Sequence, residues 1–284
     1  MTDELSITKE VSALNGINVL LMGPAGTGKT HSIGTLVDSG VEVFYLGLEP
    51  GLESLLGYYT DRKLPIPANL HWHSLKAPKA SFKDFLESAT KINTMSLDTL
   101  SKMQDPKRGL HNRFLSLLEV LNDFPDDRTG QTFGCVGEWT PSRALIVDGM
   151  AGLCRAAMSL VIGGKSVKSQ ADWGIAQDQV ERITRQLTDD CPCHFVLIAH
   201  VERETDAILG GVKLMVSTLG KALAPKLPPM FSDVILTVRE GNKFSWDTGS
   251  SMADVKTRNL SISAGLPADF RVIISKWKSR GGAI

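Results

Sequence analysis

The run LLMGPAGTGKTHSI, from Leu20 to Ile33, constrains this chain more than any other stretch of it. Two leucines lead into three glycines within six residues, and a lysine and a threonine close the run. Glycine lets successive backbone N–H groups turn inward together and form a nest for an anion, and the N-terminus of a following helix adds its positive dipole end. Gly23, Gly28, Lys29 and Thr30 satisfy the spacing G-x-x-x-x-G-K-[ST] of the phosphate-binding loop. Gly23, Pro24, Ala25, Gly26, Thr27 and Gly28 would cradle the phosphates, with His31 just behind them. Lys29 would reach the β- and γ-phosphates, and the Thr30 hydroxyl would bind Mg²⁺. Asn18–Met22 reads as a buried strand and residues 31–39 as a helix, so the loop sits in a strand–loop–helix unit. The expected ligand is a nucleoside triphosphate, ATP with Mg²⁺.

The alternation continues. Val41–Leu48 (VEVFYLGL) reads as a strand, a short helix follows in GLESLLGYY, and RALIV and HFVLIAH are further apolar runs. Strands alternating with helices predict a mostly parallel sheet covered on both faces. The expected organisation is a short leader at 1–17 and one core domain at 18–284. An elaboration at about 61–143 interrupts the rhythm. In it, helices are predicted at 81–91 and 110–122, and the long polar stretch 125–143 reads as an excursion or interaction surface. Residues 201–218 read as a loop. KFSW and RVIIS read as short antiparallel β elements near the C-terminus, before the basic tail KWKSRGGAI.

Composition narrows the partners. Lys plus Arg and Asp plus Glu both number 31, so any nucleic-acid site must be a local patch rather than a whole-molecule field. The N-terminal residues are polar and acidic, unlike a signal peptide, and no apolar run reaches spanning length, so no membrane role and a cytoplasmic, reducing location are expected. Four cysteines form no C-x-x-C pair. Cys191-Pro-Cys193-His194 has unusual spacing for zinc and no fourth ligand, and reads as a turn before a buried strand.

Hydrolysis needs a carboxylate for the metal and a group that activates water. Asp148 closes RALIV and suits the first role; its other reading is a helix N-cap. Glu49 closes VFYLGLE. If that strand neighbours NVLLM, Glu49 would face the pocket from the carboxyl edge, where open α/β sheets bind ligands, and could accept the water's proton. His200 closes HFVLIAH at the same edge and suits a γ-phosphate sensor.

The ordered set of a phosphate loop, a strand-ending glutamate, a strand-ending aspartate and a strand-ending polar residue resembles the RecA-like ATPase core. The stretches GPAGTGKT, YLGLEPGLESL, LIVDG, VLIAH, STLGKALAPKLPPMFSDV and SKWKSRGG are similar to those of short phage-encoded RecA-like recombination and single-strand annealing ATPases. The resemblance implies DNA-dependent ATP hydrolysis by a homo-oligomer, a ring or a filament, with ATP at subunit junctions. It makes Glu49 the hydrolytic glutamate and His200 the sensor. Lys276, Lys278 and Arg280 would act on the neighbour's γ-phosphate. Single-stranded DNA would meet Lys165, Lys168 and Trp173 after the aspartate strand, and Arg203 and Lys213 after the sensor strand. A single-strand DNA-binding protein is a further expected partner. A regulatory or motor ATPase acting on a protein, rather than on DNA, stays open at this level.

Overall fold

A computed structural model describes residues 14–75, 81–102, 112–163, 167–205 and 210–283. Its centre is an eight-stranded sheet in the order β10-β9-β8-β1-β5-β4-β2-β3. The parallel strands are β1 (Asn18–Met22), β2 (Glu42–Gly47), β3 (Leu70–Ser74), β4 (Arg143–Asp148), β5 (His194–Ala199) and β8 (Asp233–Glu240). The antiparallel strands β9 (Lys243–Asp247) and β10 (Leu266–Pro267) extend one edge. The expected α/β fold, a mostly parallel sheet with helices on both faces, is the observed one.

The central strands β1, β2, β4 and β5 are almost wholly apolar between their ends because both of their faces are covered. Val19 and Leu21 point to the layer of α1 (Lys29–Val37), α2 (Leu52–Thr60) and α8 (Phe270–Lys278), whose Ile33, Leu36, Leu55, Phe270 and Ile274 are buried there. Leu20 and Met22 point to the opposite layer of α5 (Arg113–Asn122), α6 (Met150–Ile162) and α7 (Gln170–Arg185). Two-sided burial of a strand leaves period-two alternation invisible in hydropathy, which is why these strands read as continuous runs.

Four sequence expectations change. Strand β2 does not neighbour β1; β5 and β4 lie between them. The stretch 125–143 is not an excursion. Val136 and Trp139 are buried in the core, and the Asp126 carboxylate accepts from the Trp72 and Arg128 backbone N–H groups and from the Thr129 hydroxyl. Its polar residues satisfy its own turns while its Phe133 and Trp139 cover Phe44. Residues 201–218 contain an antiparallel ribbon, β6 (Val201–Thr205) with β7 (Val212–Val216). Finally, RVIIS is helical. Phe270, Ile273, Ile274 and Trp277 recur at helical spacing and are all buried, and the Asp269 side chain caps the start by accepting from Arg271 N–H.

Candidate functional site

The phosphate loop opens at the carboxyl end of β1. Gly26 and Gly28 have φ of 74° and 80°, a region in which side chains are strained, so glycine is required for the turn itself. The loop is latched from the neighbouring strand: Thr27 and Thr237 hydroxyls lie 2.6 Å apart, and Thr27 also donates to the Pro24 carbonyl at 2.8 Å. The Phe244 ring of β9 lies against Gly28, where a Cβ would meet it at 3.0 Å. Neither Thr237 nor Phe244 carries a recognisable motif, and sequence reading missed both.

Lys29 folds back over the loop and donates to the carbonyls of Gly23 at 2.8 Å and Pro24 at 2.7 Å. Burial lowers its pKa to about 8, opposed by the attraction of Asp148. Thr30 donates to Asp148 Oδ2 at 2.6 Å, and the Tyr45 hydroxyl donates to the same oxygen at 2.8 Å. Burial pushes the Asp148 carboxyl above the usual range, against the pull of those two hydrogen bonds and of Lys29. Burial and the same aspartate push the Tyr45 phenol well up. The N-cap reading of Asp148 fails on this geometry: Gly149 is the N-cap of α6, and the carboxylate is engaged with Thr30 and Tyr45. A hydroxyl and a carboxylate oxygen side by side are the hard oxygen donors that Mg²⁺ takes, so Thr30 and Asp148 fit that ion.

Strand order decides where the other predicted residues stand. Because β5 pairs with both β1 and β4, His200 emerges between the phosphate loop and Asp148. It is exposed and lines a cavity of about 1060 Å³ together with residues 25–31 and Asp148. The cavity continues past His31 into a groove between Tyr58 of α2, with Arg62 just beyond that helix, and residues 267–269 before α8, room for a base and ribose beyond the phosphates. Glu49 follows β2, whose Gly47 is in register with Asp148, and so reaches the aspartate from the far side. Gly149 makes room for it, since a Cβ there would meet Glu49 Cγ at 2.6 Å. The Glu49 carboxylate is ion-paired with Arg155 of α6. Arg155 is a residue that no motif announced.

Lys276, Lys278 and Arg280 are exposed on the last turn of α8 and just beyond it. The neighbouring Trp277 packs on His194, which opens β5, and donates to the Asn15 carbonyl ahead of β1. This is the amino edge of the sheet, a strand length of about 15 Å from the phosphate loop. These cations are not part of the nucleotide pocket of their own chain.

Of the DNA-contact candidates, Lys165 lies outside the described residues. Lys168 stands over the Trp173 ring at 5.4 Å. Trp173 belongs to α7 rather than to a loop, because Ser169 and Asp172 form a capping box that starts the helix at Gln170. It is 36% exposed and abuts Gly220 beyond β7, while Gln177 donates to the Leu219 carbonyl at 2.6 Å. Arg203 is exposed on β6 between Glu202 and Glu204, and Lys213 on β7 is ion-paired with Asp254 at 2.7 Å. Among the described residues, no cluster of His, Cys, Asp and Glu suits a metal ion held by protein alone, and no helix is long and apolar enough to cross a membrane.

No curated protein matches the chain. A family model described as an AAA domain matches residues 15–263, a span that takes in the phosphate loop, Glu49, Asp148 and His200. By that match the chain belongs to the AAA domain family and carries a P-loop ATPase-type domain.

Proposed function

We propose that the chain hydrolyses ATP and couples hydrolysis to single-stranded DNA in recombination, annealing or repair, as a homo-oligomer with nucleotide at the subunit junctions. In this reading the loop amides and Lys29 hold the triphosphate, and Thr30 and Asp148 hold Mg²⁺. The ion, when bound, neutralises charge on the β- and γ-phosphates. Glu49 accepts the proton of the attacking water once it leaves Arg155, and His200 hydrogen-bonds the γ-phosphate from between the two central strands. Lys276, Lys278 and Arg280, remote from their own pocket, serve the pocket of a neighbour.

One observation supports DNA as the partner. The segment after β4 and the segment after β5, distant in sequence, meet at Trp173 and Gly220 beside a lysine. An exposed indole with a cation suits stacking of a base and contact with its phosphate. The acidic residues around Arg203 make the ribbon a weaker contact than the Trp173 corner. The test is fluorescence anisotropy of a labelled oligothymidine over a salt series. Affinity should fall linearly in log–log form with salt, and Trp173→Ala should weaken it about fivefold to a hundredfold, the worth of one stacked base. Absent or salt-independent binding would move the partner from DNA to protein, and full affinity in Trp173→Ala would take the Trp173 corner out of the DNA site.

A further inference from the structure

We propose that α3 (Phe82–Thr94) is a self-association surface, its apolar face pairing with the same face of a second copy of this chain. Every residue of this helix is exposed. Phe82 is 94% exposed, Phe85 70%, Leu86 67% and Ile92 53%, and Leu97 just beyond the helix is 71% exposed. With about 200 Å² for a phenylalanine and about 150 Å² for a leucine or isoleucine, the uncovered apolar surface is roughly 600 Å². That is the upper end of what a monomeric soluble protein leaves open, roughly 300–600 Å². Doubled across two copies it reaches about 1,200 Å², the lower bound for a specific interface.

The pattern says what covers it. Phe82, Phe85, Leu86, Ala89 and Ile92 fall on one stripe at helical spacing, and Lys83, Asp84, Glu87 and Lys91 all fall on the other side. The edges of the stripe carry Ser88 and Thr90, so no charge borders the apolar face, and Asn93 lies within it between Phe82 and Leu86 as its one polar side chain. Two lysines and two acids on the polar side cancel, which leaves nothing to draw the helix to anionic lipid or to nucleic acid. The stripe is instead complementary to itself. Two copies laid antiparallel place Phe85 opposite the small Ala89 and Phe82 opposite Ile92, twice over, as a twofold contact requires. The helix also needs a partner to persist. Ser81 and Asp84 form a capping box that starts it, but a helix of 13 residues is marginal in water without tertiary packing, and this one buries none of its side chains.

The inference rests on the helix alone and not on the DNA reading. Its test is sedimentation equilibrium of the full chain across the micromolar range, without nucleotide or DNA. The wild type should show a monomer–dimer equilibrium. Phe82→Glu/Phe85→Glu should weaken dimerisation at least tenfold, and Lys83→Ala/Lys91→Ala on the polar side should leave it unchanged. Because α3 contributes nothing to the core of its own chain, the glutamate variant should keep the wild-type melting temperature and affinity for ATP. If that variant melts lower, Phe85→Ala/Leu86→Ala, which introduces no charge, must show the same loss of dimer. A monomeric wild type would overturn the proposal, as would a dimer that survives both apolar-face variants. So would co-sedimentation of a monomeric wild type with lipid vesicles, which would make the occupant a membrane surface.

Discussion

Replacing Arg155 with alanine tests the most specific feature of the site, the ion pair that draws Glu49 toward α6. The Arg155 side chain is 62% exposed and the Glu49 side chain 19% exposed. A partly exposed pair of this kind is worth about 0.2–1 kcal/mol after solvent screening. At the upper end, about 1 kcal/mol shifts a two-state ratio roughly fivefold. If Glu49 must leave Arg155 to meet the attacking water, Arg155→Ala increases the fraction of released carboxylate. Steady-state ATPase assays should then show kcat rising by up to about fivefold with KM for ATP nearly unchanged, because Arg155 does not line the nucleotide cavity. The gain should shrink as salt rises and screens the pair in the wild type. Glu49→Gln should hydrolyse slowly with or without Arg155, since the amide cannot accept a proton. A tenfold fall in kcat in Arg155→Ala, at unchanged ATP affinity, would refute the reasoning: it would mean that the arginine holds Glu49 in its working position. An identical rate at all salt concentrations would show that the pair has no hold on catalysis.

Lys29 yields an expectation about pH. Its ammonium has a pKa of about 8 in the free protein because burial disfavours the charge, and the triphosphate binds the charged form. ATP affinity should therefore be flat below pH 8 and fall by up to about tenfold per unit above it, with proton uptake on binding visible by calorimetry in two buffers; Lys29→Ala should abolish binding while the fold persists. Asp148→Asn keeps a group that can accept from Thr30 and Tyr45 but removes the charge, so ATP should still bind in EDTA while Mg²⁺-dependent hydrolysis falls by orders of magnitude, as isotope-free phosphate-release assays would record. Mixing Glu49→Gln with Lys276→Ala/Lys278→Ala/Arg280→Ala should restore part of the ATPase rate, because the two defects lie at opposite edges of the sheet. No recovery at any ratio, in mixtures shown to co-assemble, would return those cations to the solvent.

What sequence determines here is local. The phosphate loop is one contiguous run whose geometry depends on glycines at fixed offsets, so Lys29 and Thr30 could be placed beside it from spacing alone. Asp148 at the end of β4, His200 just after β5 and Glu49 two residues after β2 were equally legible as edge positions, since a polar residue after a buried apolar run marks the sheet edge. Strand order was not legible, because it depends on which helices pack against which strands across long separations. It places His200 between the phosphate loop and Asp148, and it brings Glu49 to the aspartate rather than to the loop. The Arg155 partner of Glu49 and the Thr237 latch on Thr27 come from segments more than a hundred residues away, and no local pattern encodes them. The helix at 270–278 was misread because Val272, Ile273 and Ile274 are β-branched and favour strands in isolation. Burial of Phe270, Ile273, Ile274 and Trp277 against α1 and the amino ends of β1 and β5 outweighs that preference, and only tertiary packing supplies it.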